Sequence, residues 1–175
     1  FANAGTIRFE LGVDPAARGT RVGYELGSTI RHRGVVVHAP KRLRKESFLA
    51  FEAMHDRGFA PGRQASRVSS LDQIRLVDSP SHGTLDLLGA GYYATFGSPG
   101  ALAAADVADG RIARDGAYQT DGGGSSLRAL ISLRHQISLG KGRLEQRVYG
   151  QYRRFDMLEN FTGYLQDPVD GDRRA

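Results

Sequence analysis

The chain has no cysteine, which excludes a disulfide scaffold, a thiolate zinc site and a cysteine nucleophile. No apolar run approaches the ~18 residues of a membrane-spanning helix. That absence leaves the membrane open, because a transmembrane β-strand needs only about 9–11 residues of alternating character. There is no Gly-x-Ser-x-Gly elbow, no His-Glu-x-x-His helix and no identifiable pair of hydrolytic carboxylates, so the chain does not read as an enzyme. The histidines His32, His38, His55, His82 and His135 lack zinc-ligand spacing, and His55-Asp56 reads as a polar pair at a loop edge. No metal and no cofactor is expected. The run Asp121-Gly-Gly-Gly-Ser-Ser126 lacks the lysine of a phosphate loop and precedes a strand, so it reads as a flexible hinge. Asn160-Phe-Thr162 matches a glycosylation acceptor, which would mean nothing in a bacterial protein.

What is present is a basic chain of 175 residues, with 24 Lys+Arg against 19 Asp+Glu, 40% hydrophobic residues and 23 glycines. That length predicts about one domain, and the composition is neither collagenous nor disordered. The basic excess is spread out. Its one dense cluster, Lys41-Arg42-Leu43-Arg44-Lys45, has no interleaved aromatics, so it reads as a solvated turn and no nucleic-acid partner is expected. The chain opens on Phe1 without a basic-then-apolar leader and stops at Ala175 just after a turn-like stretch; it reads as a piece of something longer.

The dominant period is two. From Leu127 to Leu139, odd positions read Leu, Ala, Ile, Leu, His, Ile, Leu, and even positions read Arg, Leu, Ser, Arg, Gln, Ser. Successive side chains of a strand point to opposite faces, so one face is apolar and the other polar. The same pattern, stronger or weaker, predicts strands near 4–13, 20–38, 46–56, 65–77, 83–96, 125–139 and 142–158. The facing of 67–77 is ambiguous. The stretch Gly100–Asp109 predicts a short helix, with Ser98 as N-cap, Pro99 at the first helical position and Gly110 as the stop. The links 39–45, 78–82 and 140–141 are short and the links 56–64 and 97–124 longer; 14–19 is shorter than this alternation wants.

Two architectures fit. In a soluble sandwich or barrel the apolar face turns inward; in a membrane barrel it meets lipid and the polar face lines the bore. The polar parity carries both signs, with Arg8, Glu10, Arg21, Glu25, Arg128, Arg134, Glu145, Arg147 and Arg153. Strands this long, with Tyr92, Tyr93, Phe96, Tyr149, Tyr152 and Phe155 late in them, favour the membrane barrel with its aromatic girdles.

Several runs resemble the N-terminal part of the barrel domain of TonB-dependent outer-membrane receptors. Phe1-Ala-Asn-Ala-Gly-Thr-Ile-Arg-Phe9 is similar to the junction between plug and barrel. Tyr24-Glu-Leu-Gly-Ser-Thr29 with Arg31-His-Arg-Gly-Val35 resembles the second strand, and Glu52-Ala-Met-His-Asp-Arg-Gly-Phe59 the third strand entering an external loop. Tyr92-Tyr-Ala-Thr-Phe-Gly-Ser-Pro-Gly100, Tyr118-Gln-Thr-Asp-Gly-Gly-Gly-Ser-Ser126, Leu158-Glu-Asn-Phe-Thr-Gly-Tyr-Leu165 and Gly171-Asp-Arg-Arg174 resemble its strand–loop junctions. The resemblance runs over residues 1–175 in order.

What the resemblance implies is an all-β fold: a curved antiparallel meander of about seven long strands, an open segment of a 22-stranded transmembrane barrel, with a short helix in one long loop. It implies a fragment, with the plug and the remaining strands missing, in the outer membrane of a Gram-negative bacterium. The implied partners are outer-membrane lipid, a scarce small-molecule ligand such as a siderophore or other metal chelate, and a TonB-type energy-coupling protein acting through the missing N-terminal region. The loop 97–124 is the candidate for ligand contact, with Arg111, Arg114 and Tyr118 as its polar and aromatic groups. The rival expectation is a β-rich binding module that transports nothing, or a smaller outer-membrane barrel.

Overall fold

A computed structural model describes residues 11–41, 47–118, 120–160 and 166–167, and the backbone of 173–174. The fold is all-β. A 3-10 turn over Pro15–Ala17, capped by Asp14 Oδ1 accepting from the Ala16 N–H at 2.7 Å, precedes the sheet. The strands are β1 (Gly19–Gly27), β2 (Arg31–Ala39), β3 (Phe48–Asp56), β4 (Ala65–Ser79), β5 (Gly83–Gly97), β6 (Gly123–Leu139), β7 (Gly142–Asn160) and the two-residue β8 (Arg173–Arg174). Each pairs antiparallel with its neighbour in sequence, so the sheet is an open meander. The expected strand 4–13 lies largely outside the described residues, and 11–13 are not in a strand.

The single strand expected over 20–38 is instead a hairpin, β1 and β2, closed by Gly27 opposite Arg31. Its turn, Ser28–Ile30, places Ile30 at φ 54°. A three-residue hairpin loop ends on a left-handed residue that is ordinarily glycine. Here a β-branched residue holds that position against its steric preference, and so the sequence carries no turn signal. The helix α1 also differs from expectation. It spans only Ala104–Ala108, with Ala103 at the N-cap making no side-chain bond. Ser98 is not its cap; its hydroxyl donates to Glu159 Oε1 at 2.6 Å. Gly110 follows the helix at φ 72°, as a helix stop requires.

The links at one end of the sheet are the turn 28–30, the link 57–64 and the loop 98–122. At the other end are 40–47, 80–82 and 140–141. The alternation of short and long links is therefore weaker than expected. Of the basic cluster 41–45, only Lys41 lies among the described residues.

Residues opposite each other in an antiparallel pair share a face, so the register sorts every side chain. One face carries Val22, Tyr24, Val36, Phe51, Val68, Tyr93, Ile131, Leu133 and Val148. The other carries most of the charges: Arg21, Glu25, Arg33, Glu52, Arg67, Arg75, Asp86, Arg128, Arg134, Glu145, Arg147 and Arg153, while Asp72 and, near the end of β7, Arg154 and Asp156 fall on the apolar parity. A bulge resolves the ambiguous β4. Arg75 pairs with Asp86 and Val77 with Leu85, leaving Leu76 unpaired between them, so Arg75 stays on the charged face while Val77 turns to the apolar one. The aromatics divide: Tyr93 and Tyr152 lie on the apolar face, whereas Tyr92, Phe96, Tyr149 and Phe155 lie on the charged one, where Phe96 and Phe155 stack at 6.1 Å.

Burial is one-sided on β3 to β6 and opposite to that of a soluble sheet, whereas β1 and β7 are mostly exposed on both faces. Val22, Tyr24, Leu26, Val148 and Ile131 are exposed, Ile131 by 59%. Asp86, Ser132, Gln136, Phe48 and Ala94, all on the charged face, are buried. No large side chain among the described residues is fully buried, and those residues form no apolar core. Backbone pairing and the turns hold the sheet. Gly83, at φ 74° where β5 leaves the turn, is one such point: a Cβ there would sit 2.0 Å from the Gln136 carbonyl oxygen. Gly83→Ala is expected to lower stability by well over ~1 kcal/mol, since positive φ and a backbone clash act together. The shift of the denaturant midpoint measures it.

Candidate functional site

The loop 98–122 is organised by one carboxylate. Asp106 sits in the first turn of α1. Its Oδ2 accepts the Tyr118 phenol proton and its Oδ1 accepts from Arg111 Nη2 at 2.9 Å. Its carbonyl oxygen accepts the Arg111 N–H at 2.8 Å. The Tyr118 oxygen in turn accepts the Ala103 N–H at 3.2 Å, and Arg111 also reaches Asp109 at 3.0 Å. Arg111 and Tyr118, separated in sequence, thus meet at Asp106. Arg114 stands apart: it is exposed and has no ion pair among the described residues. Asp106 is not singled out by the sequence; the only signal it offers is an acid, with Asp109 three residues on, in an alanine run.

The loop is tied down at its base and flank. The Ser98 N–H donates to the Gly122 carbonyl at 3.0 Å and the Gly97 N–H to Gln64 at 2.8 Å. Arg63 Nη1 donates to the Asp115 carbonyl at 2.8 Å, and its guanidinium lies 5.1 Å from the Phe59 ring centroid. The link 57–64 and the long loop therefore form one structured end of the sheet.

The Asp106 carboxylate accepting its proton raises the Tyr118 phenol above the ordinary tyrosine value, with desolvation acting in the same direction. A group raised in the folded state stabilises fully below its unfolded pKa of about 10 and loses that contribution as pH rises through the higher folded value. A spectrophotometric tyrosine titration is expected to show one phenol ionising later than an ordinary tyrosine. That component should vanish in Tyr118→Phe and move down in Asp106→Asn.

The charged face carries three ion clusters. Arg33 bridges Glu25, at 2.8 Å, and Glu52, which also accepts from Arg67. Arg75 grips Asp86 with Nε at 2.6 Å and Nη2 at 3.0 Å, and Arg134 Nη2 reaches the same carboxylate at 3.2 Å. Gln136 Nε2 donates to Glu145 at 2.7 Å, with Arg147 at 3.5 Å from it. Of the charges expected on this face, Arg8 and Glu10 lie outside the described residues. Glu52 stands on the weaker polar parity expected of its strand; Arg33, Arg67 and Arg75 were not expected, because β2 was hidden in a longer strand and the bulge blurred β4, and Asp86 is a lone acid in a strand of Gly, Ala, Leu and aromatic residues. A cavity of about 320 Å3 opens beside the second cluster, bordered by Arg75, Asp86, Arg134, Arg143, Arg147 and Leu11.

Among the described residues no three His, Asp or Glu side chains are placed to hold a metal ion. The run 121–126 is not a hinge from Gly123 onward, since Gly123 to Ser126 pair with both β5 and β7. No family model, curated protein or solved structure matches the chain.

Proposed function

We propose that this chain is part of the wall of an outer-membrane receptor of the TonB-dependent type, one that takes up a scarce nutrient such as a siderophore or other metal chelate. One observation carries the reading: on β3 to β6 the apolar parity is the exposed one, with Phe51 and Ile131 in the open, while the charged parity is paired and partly buried. Burying a large apolar side chain is worth roughly 1.5–3 kcal/mol, so a face with Val22, Leu26, Ile131 and Val148 in the open needs a cover. Lipid covers such a face continuously. A wall curved around its polar side also explains the one-sided burial.

Strand length agrees. β4 and β5 have 15 residues, β6 has 17 and β7 has 19, beyond the ~9–11 that cross a bilayer. Such strands project past the membrane and carry their loops outside. Tyr24 and Tyr93 flank a depression on the apolar face, rimmed by His32 and His55, a composition suited to the lipid headgroup level. In this reading the loops 57–64 and 98–122 are external and capture ligand, and passage is driven by an energy-coupling protein. No covalent step is involved.

The test is to express the whole receptor, of whose wall this chain is proposed to be part, in a Gram-negative host, fractionate the membranes and compare boiled with unboiled samples by electrophoresis. The expected result is an outer-membrane band whose mobility changes on heating. A soluble, detergent-independent monomer would sink the reading in favour of a β-rich binding module. Replacing 98–122 by a tight turn is expected to leave assembly intact and abolish ligand-dependent uptake. Unchanged uptake would remove the loop from recognition.

A further inference from the structure

Charge is unevenly distributed along the polar face. On β1 to β5, Arg33, Arg67 and Arg75 each meet a carboxylate, and only Arg21 and Arg31, at the edge hairpin, have no ion pair among the described residues. On the β6–β7 ribbon the same face holds Arg128, Arg134, Arg143, Arg147 and Arg153 against two carboxylates, Glu145 and, at the far end of β7, Glu159, which accepts from the Ser98 hydroxyl. The register sets Arg134 directly opposite Arg147, and Arg128 directly opposite Arg153. Like charges facing each other across strands repel.

Their neighbours leave that repulsion largely uncompensated. Arg134 is the second arginine on Asp86, already held twice by Arg75. Arg147 is 3.5 Å from a Glu145 that also serves Gln136. Arg128 lies 5.9 Å from the Tyr92 ring centroid, and Arg153 donates to the Gln151 amide oxygen once that amide is turned. Arg143 has no ion pair among the described residues. Arg134, Arg143 and Arg147 border the cavity of about 320 Å3, where Asp86 is the one carboxylate among the described residues.

We infer that the β6–β7 ribbon is an anion-binding track, formed by the Arg134–Arg147 pair with Arg143 and by the Arg128–Arg153 pair, for a small solute bearing two or more carboxylate or phosphate groups. This rests on the proposed function, in which the charged face lines a bore, and it narrows the substrate class. A guanidinium matches a carboxylate or phosphate through parallel N–H bonds. An anion seated between two facing guanidiniums turns their repulsion into attraction. The two stations are six residues apart on β6, roughly 20 Å at ~3.3 Å per residue. Neutral Leu130, Ser132, Tyr149 and Gln151 separate them. Two stations with a gap let an anion enter without being trapped.

The experiment is calorimetric titration of citrate and of pyrophosphate into the full chain, purified in detergent. Saturable binding that weakens with added salt is expected. R134Q together with R147Q should weaken citrate binding at least ten-fold. R134K with R147K, which keeps the charge, should retain most of it, and R128Q with R153Q should lower the stoichiometry. Heat-dependent gel mobility, measured on each variant, reports folding separately. Wild-type affinity in R134Q/R147Q would overturn the track. So would absence of citrate and pyrophosphate binding to a folded wild type, the result expected if an acidic polypeptide segment already occupies the arginines. Outer-membrane location without anion binding removes this inference alone; anion binding by a soluble chain removes the membrane reading and leaves the site.

Discussion

Arginine at Val148 is expected to destabilise the sheet in lipid by about 2–4 kcal/mol, whereas arginine at Tyr149 is expected to change stability by less than ~0.5 kcal/mol. The two positions are adjacent in β7 and almost equally exposed, 73% and 69%. Only their faces differ. Val148 lies opposite Leu133 on the apolar parity, and Tyr149 opposite Ser132 on the charged one. In water both substitutions would be tolerated, because an exposed side chain loses little when it becomes charged. In a bilayer the Val148→Arg guanidinium must leave water or drag water with it, and the Tyr149→Arg guanidinium need not. Guanidinium chloride unfolding of the two variants in lipid vesicles measures the difference. Equal midpoints would mean that no hydrocarbon meets this face.

Asp86→Asn is expected to cost about 3 kcal/mol, the scale for removing one partner of a buried pair. The Asp86 side chain is 5% exposed and that of Arg75 10%. The substitution keeps volume and removes the charge that three guanidinium contacts share. Arg75 then retains its cation in a place water reaches poorly, and Arg134 loses its counter-ion. Arg134 is 23% exposed and relaxes toward solvent, which holds the cost near the lower end of the buried-pair range. The same change at Glu25, 61% exposed, should cost under ~1 kcal/mol. Denaturant midpoints of the two variants provide the comparison. A loss below 1 kcal/mol for Asp86→Asn would show that the cavity is wet enough to screen its arginines.

Where the sequence misled, a specific residue explains it. Ile30 adopts a left-handed backbone that its side chain disfavours, so the hairpin of β1 and β2 read as one strand. Leu76 is an extra residue in β4, and one insertion reverses the parity of everything beyond it. The helix is shorter than its alanine run: Gly100 takes a left-handed φ of 71° that no helix can include, and Ser98, which looked like the cap, is engaged by Glu159 instead. In the loop, Arg111 and Tyr118 were visible as functional types, but their convergence on Asp106 was not. That meeting depends on how the chain turns between 108 and 118.

The all-β character, the long ribbon of β6 and β7, and the separation of charge from hydrocarbon were written in the alternation itself. A period of two is a local property, and each strand fixes its two faces without reference to any other. Which face is shielded, which carboxylate serves which guanidinium, and the placing of arginine against arginine across β6 and β7 were decided by register. Register joins residues distant in sequence through turn geometry and backbone hydrogen bonds, and no local pattern encodes it.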